Sequence, residues 1–415
     1  MATQRWAVVG GGLVGSAIAL RLQIAGFEVL LVDRGDPRRG ASFGNIGHIA
    51  AEQGEPMPSP AMLKSAFGRL FAFGGPLDFR LRDAGLWMPW AMRFLGACSP
   101  LATQHGAQTL NALLDNPLAA WQRLSALAQA PHDMIRPDGH AVVWSTPEAA
   151  RRGLGSWNSA RTGCARFRPM EASELAAYDG VLARRPAGGI LFTGTGQVSE
   201  PQRVRDALLA AFTREGGQVV HTDAVAVRPV GDAVEVELAD GQVVDADRTV
   251  VAAGAWSKAL MASMGVRVPL IGERGYSVQS AEHKWPEDLP LTVFEDRSVV
   301  VARFSGGLRA SSHVEFGAPS AAPDPRKWRH IEKHVKDLGI QFSRAPDRWC
   351  GPRPTLPDYL PAIGRLEAHP SVYYAFGHQH LGLTLAALTS EWIEGMALGQ
   401  HMPAWMNALR VERFK

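Results

Sequence analysis

The sequence predicts an α/β fold: an open, mostly parallel sheet of Rossmann type, joined to a second α+β domain. Three observations point there. A short apolar run at 5–9 leads straight into a glycine turn and a helix-forming stretch. A second strand-to-glycine junction, 249–257, occurs far along the chain. At 415 residues the chain is also too long for one small core, so two domains are expected.

The first element is Arg5-Trp6-Ala7-Val8-Val9, a buried strand by its β-branched, apolar character. Gly10, Gly12 and Gly15 follow in the spacing G-x-G-x-x-G, and 16–25 reads as a helix stopped by Gly26. Residues 28–32 form a second strand ending at Asp33, which lies 18 residues past Gly15. The chemistry needs these residues. Gly10 permits the tight turn, Gly12 lets backbone approach a pyrophosphate, and Gly15 lets helix and strand pack closely. The helix N-terminus offers free N–H groups and a positive dipole end to phosphates. Asp33 suits a ribose hydroxyl and would repel a 2′-phosphate. The motif therefore implies a dinucleotide other than NADP, and leaves NAD and FAD both open.

Composition narrows the function classes. The net charge is only +3 and the basic residues are scattered, so nucleic acid is not an expected partner. Cys98, Cys164 and Cys350 are far apart, odd in number and without metal spacing, so neither disulfide nor metal is expected. No apolar run reaches the roughly 18 residues of a membrane span. The first strand begins by Arg5, leaving no room for a signal peptide, and a cytoplasmic protein is expected.

Further along, 41–49 is a small-residue loop open to close ligand approach. Pro56, Pro58 and Pro60 mark a linker. Residues 81–98 carry Leu86, Trp87, Met88, Trp90, Met92, Phe94 and Leu95. Such a stripe fits a core helix better than a membrane-surface one, with Pro89 as an interruption, and peripheral membrane contact stays open. An amphipathic helix is expected over 109–129 and a strand over 141–145. Ser199 is read as the N-cap of a helix to about Arg214, with Pro201 near its start. Strands follow at 219–223, 225–230, 234–238 and 248–252, then 275–279, 291–294, 299–304 and 308–314. Helix 325–338, strand 372–376, turn 377–384 and helix 385–398 complete the chain.

Several of these segments, taken together, resemble the D-amino acid oxidase-like flavoproteins. Within them the likeness is to the D-amino acid dehydrogenases, above all the branch acting on cis-4-hydroxy-D-proline. The N-terminal glycine turn is shared by all two-dinucleotide-binding flavoproteins. Ala41-Ser42-Phe43-Gly44-Asn45-Ile46-Gly47-His48 resembles the family's flavin-contacting loop, and 250–257 its second glycine junction. Gly351-Pro352-Arg353-Pro354, with 357–364 after it, resembles its most diagnostic stretch. Gly377-His378-Gln379-His380-Leu381-Gly382-Leu383-Thr384 resembles the loop beneath the flavin. Two departures stand out. Asp33 replaces the commoner Glu, and Cys350 lies about one residue out of register with the cysteine that carries covalent flavin in some relatives.

The resemblance implies non-covalent FAD. It implies a discontinuous FAD-binding domain of 1–55, 186–270 and 345–415, and a substrate domain of 56–185 and 271–344 with a mainly antiparallel sheet. The expected cofactor contacts are Gly10, Gly12, Leu13, Val14, Gly15, Asp33 and Arg34 at the first turn, and Ser42, Asn45, Ile46, Gly47 and His48 in the loop. Val225, Ala253, Gly254 and Trp256 belong to the middle segment. Gly351, Arg353, Gly377, His378, Leu381, Gly382, Leu383 and Thr384 complete the set. The helix opening near Gly382 is expected to aim its positive end at the flavin. Arg353 is expected to grip a substrate carboxylate with its planar fork. Tyr276 is expected to add a hydroxyl, and His48, His378 or His380 to line the pocket or take a proton.

The implied activity is dehydrogenation of a D-amino acid, with a cyclic imino acid such as cis-4-hydroxy-D-proline or D-proline as substrate. Electrons pass to a quinone or another carrier. A glycine- or sarcosine-type amine oxidase using oxygen, an NAD-dependent dehydrogenase and a non-catalytic flavin-binding subunit are the competing readings. The oligomeric state is not legible.

Overall fold

The computed structural model describes residues 3–65, 68, 70–342 and 345–415. β1 (Arg5–Val9), α1 (Leu13–Ile24) and β2 (Glu28–Asp33) form the expected strand–turn–helix–strand unit. β1 and β2 pair in parallel. They sit in a six-stranded sheet with 218–221, 248–251, 372–376 and 362–365, of which only 362–365 runs antiparallel. Period-two alternation sends Trp6 and Val8 into one apolar core and Ala7 and Val9 into another. A strand buried on both faces must be apolar, as β1 is from Trp6 to Val9. α1 packs against the C-terminal helix Gly382–Ala397 within the first core. Arg21 bridges from α1 to Glu391 and Glu394, both at 2.8 Å.

A second, larger sheet is mainly antiparallel. Its order is 347–355, 271–280, 307–317, 299–304, 291–294, 140–144, 188–193, 166–169, with 77–79 added beside 307–317. Only the pairs 291–294/140–144 and 307–317/77–79 are parallel. Two of its strands come from segments that the sequence grouped with the cofactor domain, 188–193 and 347–355. Pro352 and Pro354 argue against a strand at the second of these. It lies at the sheet edge, where missing N–H donors cost least.

Other local expectations need correction. The stretch 109–129 is two helices, Pro100–Leu113 and Pro117–Leu127, parted by Asn116 at φ 58°. Pro117 disfavours helical backbone at the residue before it, so the Asn-Pro pair was the missed signal. The helix 201–214 is preceded by Glu200 at its cap position, not Ser199. The apolar stripe forms the helix Ala84–Ala97 with Pro89 inside it, yet only Trp90 of that helix is fully buried. Leu86, Met88, Met92 and Leu95 are exposed, while Trp87, Trp90 and Phe94 pack into an apolar cluster with Phe316 and Tyr359, so only the aromatic part of the stripe is core.

Candidate active site

A single elongated cleft runs from the first glycine turn to the end of the large sheet, with about 1270 Å³ of empty space counted to its open mouth. Its first end is backbone. Gly10 sits at φ +111°, and a Cβ there would lie 2.5 Å from the Ala252 carbonyl oxygen. A Cβ on Gly15 would lie 1.8 Å from the Gly10 carbonyl oxygen, so Gly15 serves packing and does not itself line the cleft. α1 starts at Gly12 without a side-chain cap. Its positive end therefore faces the cleft, as a pyrophosphate requires.

Asp33 lines this end. One carboxylate oxygen accepts from the Gly11 N–H at 2.8 Å, and the other accepts from Gly35 N–H and Arg205. Arg205, from helix 201–214, also donates to the Gly11 carbonyl at 2.5 Å. Nothing local in the sequence marked Arg205. Arg34 lies 4.0 Å over the Trp256 ring and pairs with Asp223 at 3.0 Å. Thr222, Asp223 and Ala224 line the cleft where Val225 was expected. Val225 is half exposed and lies outside the lining, because alternation along its strand turns it away.

The loop 40–47 closes the middle. Ser42 accepts from the Leu13 N–H at 3.2 Å, and Asn45 accepts from the Gly47 N–H at 2.8 Å. The buried Arg309 donates to the Phe43 and Asn45 carbonyls, and burial pushes its pKa down to about 10. This clamp was also invisible in the sequence. Ser42 and Asn45 line the cleft, as do Ala253 and Gly254. Ile46, Gly47 and His48 lie behind it, with Ile46 packed against Phe304.

The far end is built by side chains. Arg353 lines the cleft from the edge strand, with Pro352 and Pro354 beside it. It faces Glu273 across the ladder at 3.4 Å. Glu273 is 4% exposed and also accepts from the Thr355 and Tyr359 hydroxyls, both at 2.9 Å. This buried carboxylate fixes the guanidinium while leaving part of it open to the cleft. Burial and the adjacent carboxylate push the Tyr359 hydroxyl well above its ordinary pKa. Tyr359 (φ +55°) and Gln379 (φ +49°) both hold left-handed backbone, and the Gln379 amide donates to the Tyr359 carbonyl. Strain held by hydrogen bonds is a mark of functional sites.

The helix Gly382–Ala397 starts uncapped, and Gly382 and Leu383 line the cleft. Gly351, Gly377, Leu381 and Thr384 stand behind the wall. Thr384 ties the Ala50 N–H at 2.9 Å and the His48 carbonyl at 3.4 Å. The three histidines separate. His378 reaches the lining but bonds Thr389 at 3.0 Å, and burial drives its pKa down to about 3. His380 bonds Gln53 at 3.2 Å, and burial lowers it to about 4. His48 lies beside Glu52 and His140.

Tyr276 does not join Arg353. It lies three residues from Glu273 on the same strand, so it points to the opposite face of the sheet. There its hydroxyl donates to Glu315 at 3.2 Å and accepts from the Asp324 N–H at 3.0 Å, under the helix Pro325–Asp337. Cys350 shares that far face, beside Arg274 at 3.5 Å, and cannot reach the cleft.

Comparison with known proteins agrees with this geometry. The family described as FAD dependent oxidoreductase (DAO) matches residues 5–396. A D-amino-acid oxidase of Bradyrhizobium diazoefficiens is 28% identical over 95% of both chains. A D-amino acid dehydrogenase of Paramagnetospirillum magneticum is 28% identical over 98% of both. Among solved structures, glycine oxidase from Geobacillus kaustophilus superposes with a TM-score of 0.72 at 19% identity, covering 99% of each chain. L-proline dehydrogenase from P. horikoshii gives 0.70 at 15% identity, covering 99% of this chain and 98% of that one.

Proposed function

The chain belongs to the FAD-dependent oxidoreductase (DAO) family and uses FAD, and from that premise we propose that it dehydrogenates a D-amino acid at Cα. The proposed substrate is a cyclic imino acid such as cis-4-hydroxy-D-proline or D-proline. The proposed acceptor is a quinone or another carrier. The observation that carries this reading is Arg353, held by buried Glu273 at the end of a cleft that begins at the Gly10–Val14 turn. The curated relatives named for D-amino acids support the chirality.

Bound FAD supplies the acceptor for a hydride from Cα. Arg353 holds the substrate carboxylate, and the Glu273 carboxylate keeps the guanidinium from turning away. The uncapped start of helix Gly382–Ala397 stabilises negative charge developing above it. Hydride loss needs an uncharged amine. His380 lies outside the cleft lining and burial pushes its pKa down to about 4, so at neutral pH it does not store the amine's proton. Cys350 faces away from the cleft, which supports non-covalent FAD. The division into a discontinuous FAD domain (1–55, 186–270, 345–415) and a substrate domain (56–185, 271–344) is part of the same proposal.

Anaerobic bleaching of the yellow protein by a panel of D- and L-amino acids tests it. D-Proline and cis-4-hydroxy-D-proline should bleach it fastest. Bleaching by glycine or sarcosine alone, or by L-isomers, would overturn the substrate. Reoxidation as fast by air as by a quinone would overturn the acceptor. A second reading, peripheral membrane contact, is supported by the exposed row Leu86, Met88, Met92 and Leu95. No helix among the described residues is long and apolar enough to cross a membrane. Sedimentation with lipid vesicles, lost on changing Met88 and Met92 to Gln, is the expected outcome. Equal sedimentation of wild type and variant would remove this reading.

A further inference from the structure

Behind the cleft wall, two imidazoles and a carboxylate converge without completing any interaction. His48 Nε2 lies 3.7 Å from one Glu52 oxygen, and His140 Nε2 lies 3.9 Å from the other. Ligand atoms of all three residues lie within 4.8 Å of one another. We propose that His48, Glu52 and His140 bind a divalent first-row metal cation, of which zinc is the best match.

Four features support a ligand here. First, the Glu52 carboxylate is 2% exposed and the His48 side chain 11%, yet one Glu52 oxygen and His48 Nε2 have no hydrogen-bond partner. A buried carboxylate left this way is costly unless something compensates it. Second, among the described residues no lysine or arginine pairs with Glu52; beyond the imidazoles it has only the Gln53 side-chain amide, at 3.4 Å. Burial lowers the pKa of both histidines, and their mutual repulsion lowers His140 further. The neutral imidazole is the form that ligates metal.

Third, His140 is oriented for the task. Its Nδ1 bonds the Thr195 hydroxyl at 2.9 Å and its ring stacks on Phe192, leaving Nε2 aimed at Glu52. Metal-bound histidines are held this way by a partner on the other ring nitrogen. Fourth, the spacing suits the ion. Tetrahedral zinc, with bonds of about 2.0–2.1 Å, sets ligand atoms roughly 3.3 Å apart; the two histidine–Glu52 separations are 3.7 and 3.9 Å, to different oxygens, and the trio lies within 4.8 Å, so closing on one ion takes side-chain shifts of about 0.5–1.5 Å. Two nitrogens and one oxygen also leave a coordination position for water. Another carboxylate cluster, Asp78, Glu315 and Asp324, offers a contrast. Lys327 already sits among its oxygens, and Arg274 and Arg326 pair with Glu315 and Asp324, so three cations meet its three carboxylates.

The ion would join the turn after the strand His48–Ile49 to the strand His140–Trp144 of the large sheet. The test uses the full-length FAD-loaded protein, stripped with a chelator and titrated with Zn²⁺ in a metal buffer. One zinc per chain should survive desalting, and zinc should raise the melting temperature by several degrees. Glu52→Gln and His140→Asn, each keeping its FAD spectrum, should hold almost none. Thr195→Val should weaken binding roughly 10–100-fold. Wild type that retains no more zinc than Glu52→Gln would overturn the proposal. If the variants do not fold, X-ray absorption at the zinc edge of wild type decides. Two imidazoles and an oxygen support the site; any sphere without imidazole overturns it.

Discussion

At the first end of the cleft, the Gly10–Val14 turn works through backbone and through the hydrogens that stand where side chains would be. At the far end, Arg353, Glu273, Thr355 and Tyr359 work through side chains drawn from two strands and a turn. The first end spans a few consecutive residues. The second needs the register of 271–280 on 347–355. Tolerance to substitution should differ accordingly. At Gly10 and Gly15 an added atom meets backbone, which cannot move aside. At the arginine end a shorter side chain leaves the fold intact and removes one interaction.

Gly15→Ala tests the first half of that contrast and should have the largest effect. Its Cβ would sit 1.8 Å from the Gly10 carbonyl oxygen, so strand and helix must part. A loss on the order of 4 kcal/mol or more is expected, with little soluble protein and little FAD. Denaturant midpoint and the flavin-to-protein absorbance ratio report it. A stable yellow Gly15→Ala protein would erase the distinction between the two ends.

Arg353→Ala tests the other half. It should leave FAD content unchanged and weaken substrate binding by about 2–5 kcal/mol, from thirtyfold to several thousandfold. Arg353→Lys should recover only part, since a point charge lacks the two-pronged geometry. Anaerobic titration of the flavin gives the Kd. Loss of FAD instead would mean that Arg353 belongs to the cofactor end.

The two ends should also differ in pH response. Buried His378 lines the far end and partly buried His380 stands behind it, with pKa values pushed down to about 3 and 4. Each is depressed below the unfolded value of about 6.5. Unfolding therefore takes up protons in acid. The stability associated with the neutral rings is complete above pH 6.5 and is lost as pH falls toward 4. His380→Gln should reduce that acid loss by an amount on the order of 3 kcal/mol. Melting temperatures from pH 7 to 4 for wild type and variant measure it. Parallel curves would show that His380 is not the group responsible.

The smallest expected effect belongs to Tyr276→Phe. Its hydroxyl bonds Glu315 and the Asp324 N–H on the sheet face away from Arg353. Stability should fall by about 1 kcal/mol, while substrate Kd stays unchanged. A Kd shift comparable to that of Arg353→Ala would place Tyr276 in the substrate chamber after all.

Tyr276 shows where sequence reading stopped. The Gly275-Tyr276 pair drew attention to the hydroxyl, yet strand alternation puts Glu273 and Gly275 on the side of Arg353 and Tyr276 on the other. Applying that alternation would have found Glu273, once the prolines of 347–355 were accepted in an edge strand. Arg205 and Arg309 carried no such signal. Each reaches a loop far away in sequence, and an arginine in a helix or strand looks the same whether it faces solvent or clamps a carbonyl. The Asn116-Pro117 break is legible in the sequence, as is the four-residue spacing of His48 and Glu52.

By itself the sequence determined the first unit of the fold, the nature of the cofactor turn, and the resemblance that singled out Arg353. Those features rest on residues close in the chain, where glycine spacing and strand or helix period limit the backbone to one arrangement. Only the tertiary structure decided that Glu273 holds Arg353, that Arg309 clamps the 40–47 loop, that Tyr276 and Cys350 face away, and that His140 meets His48 and Glu52. Each depends on which strands pair, in what register, and which face each side chain then takes. Pairing energies are summed over a whole sheet, so no short stretch of sequence contains them.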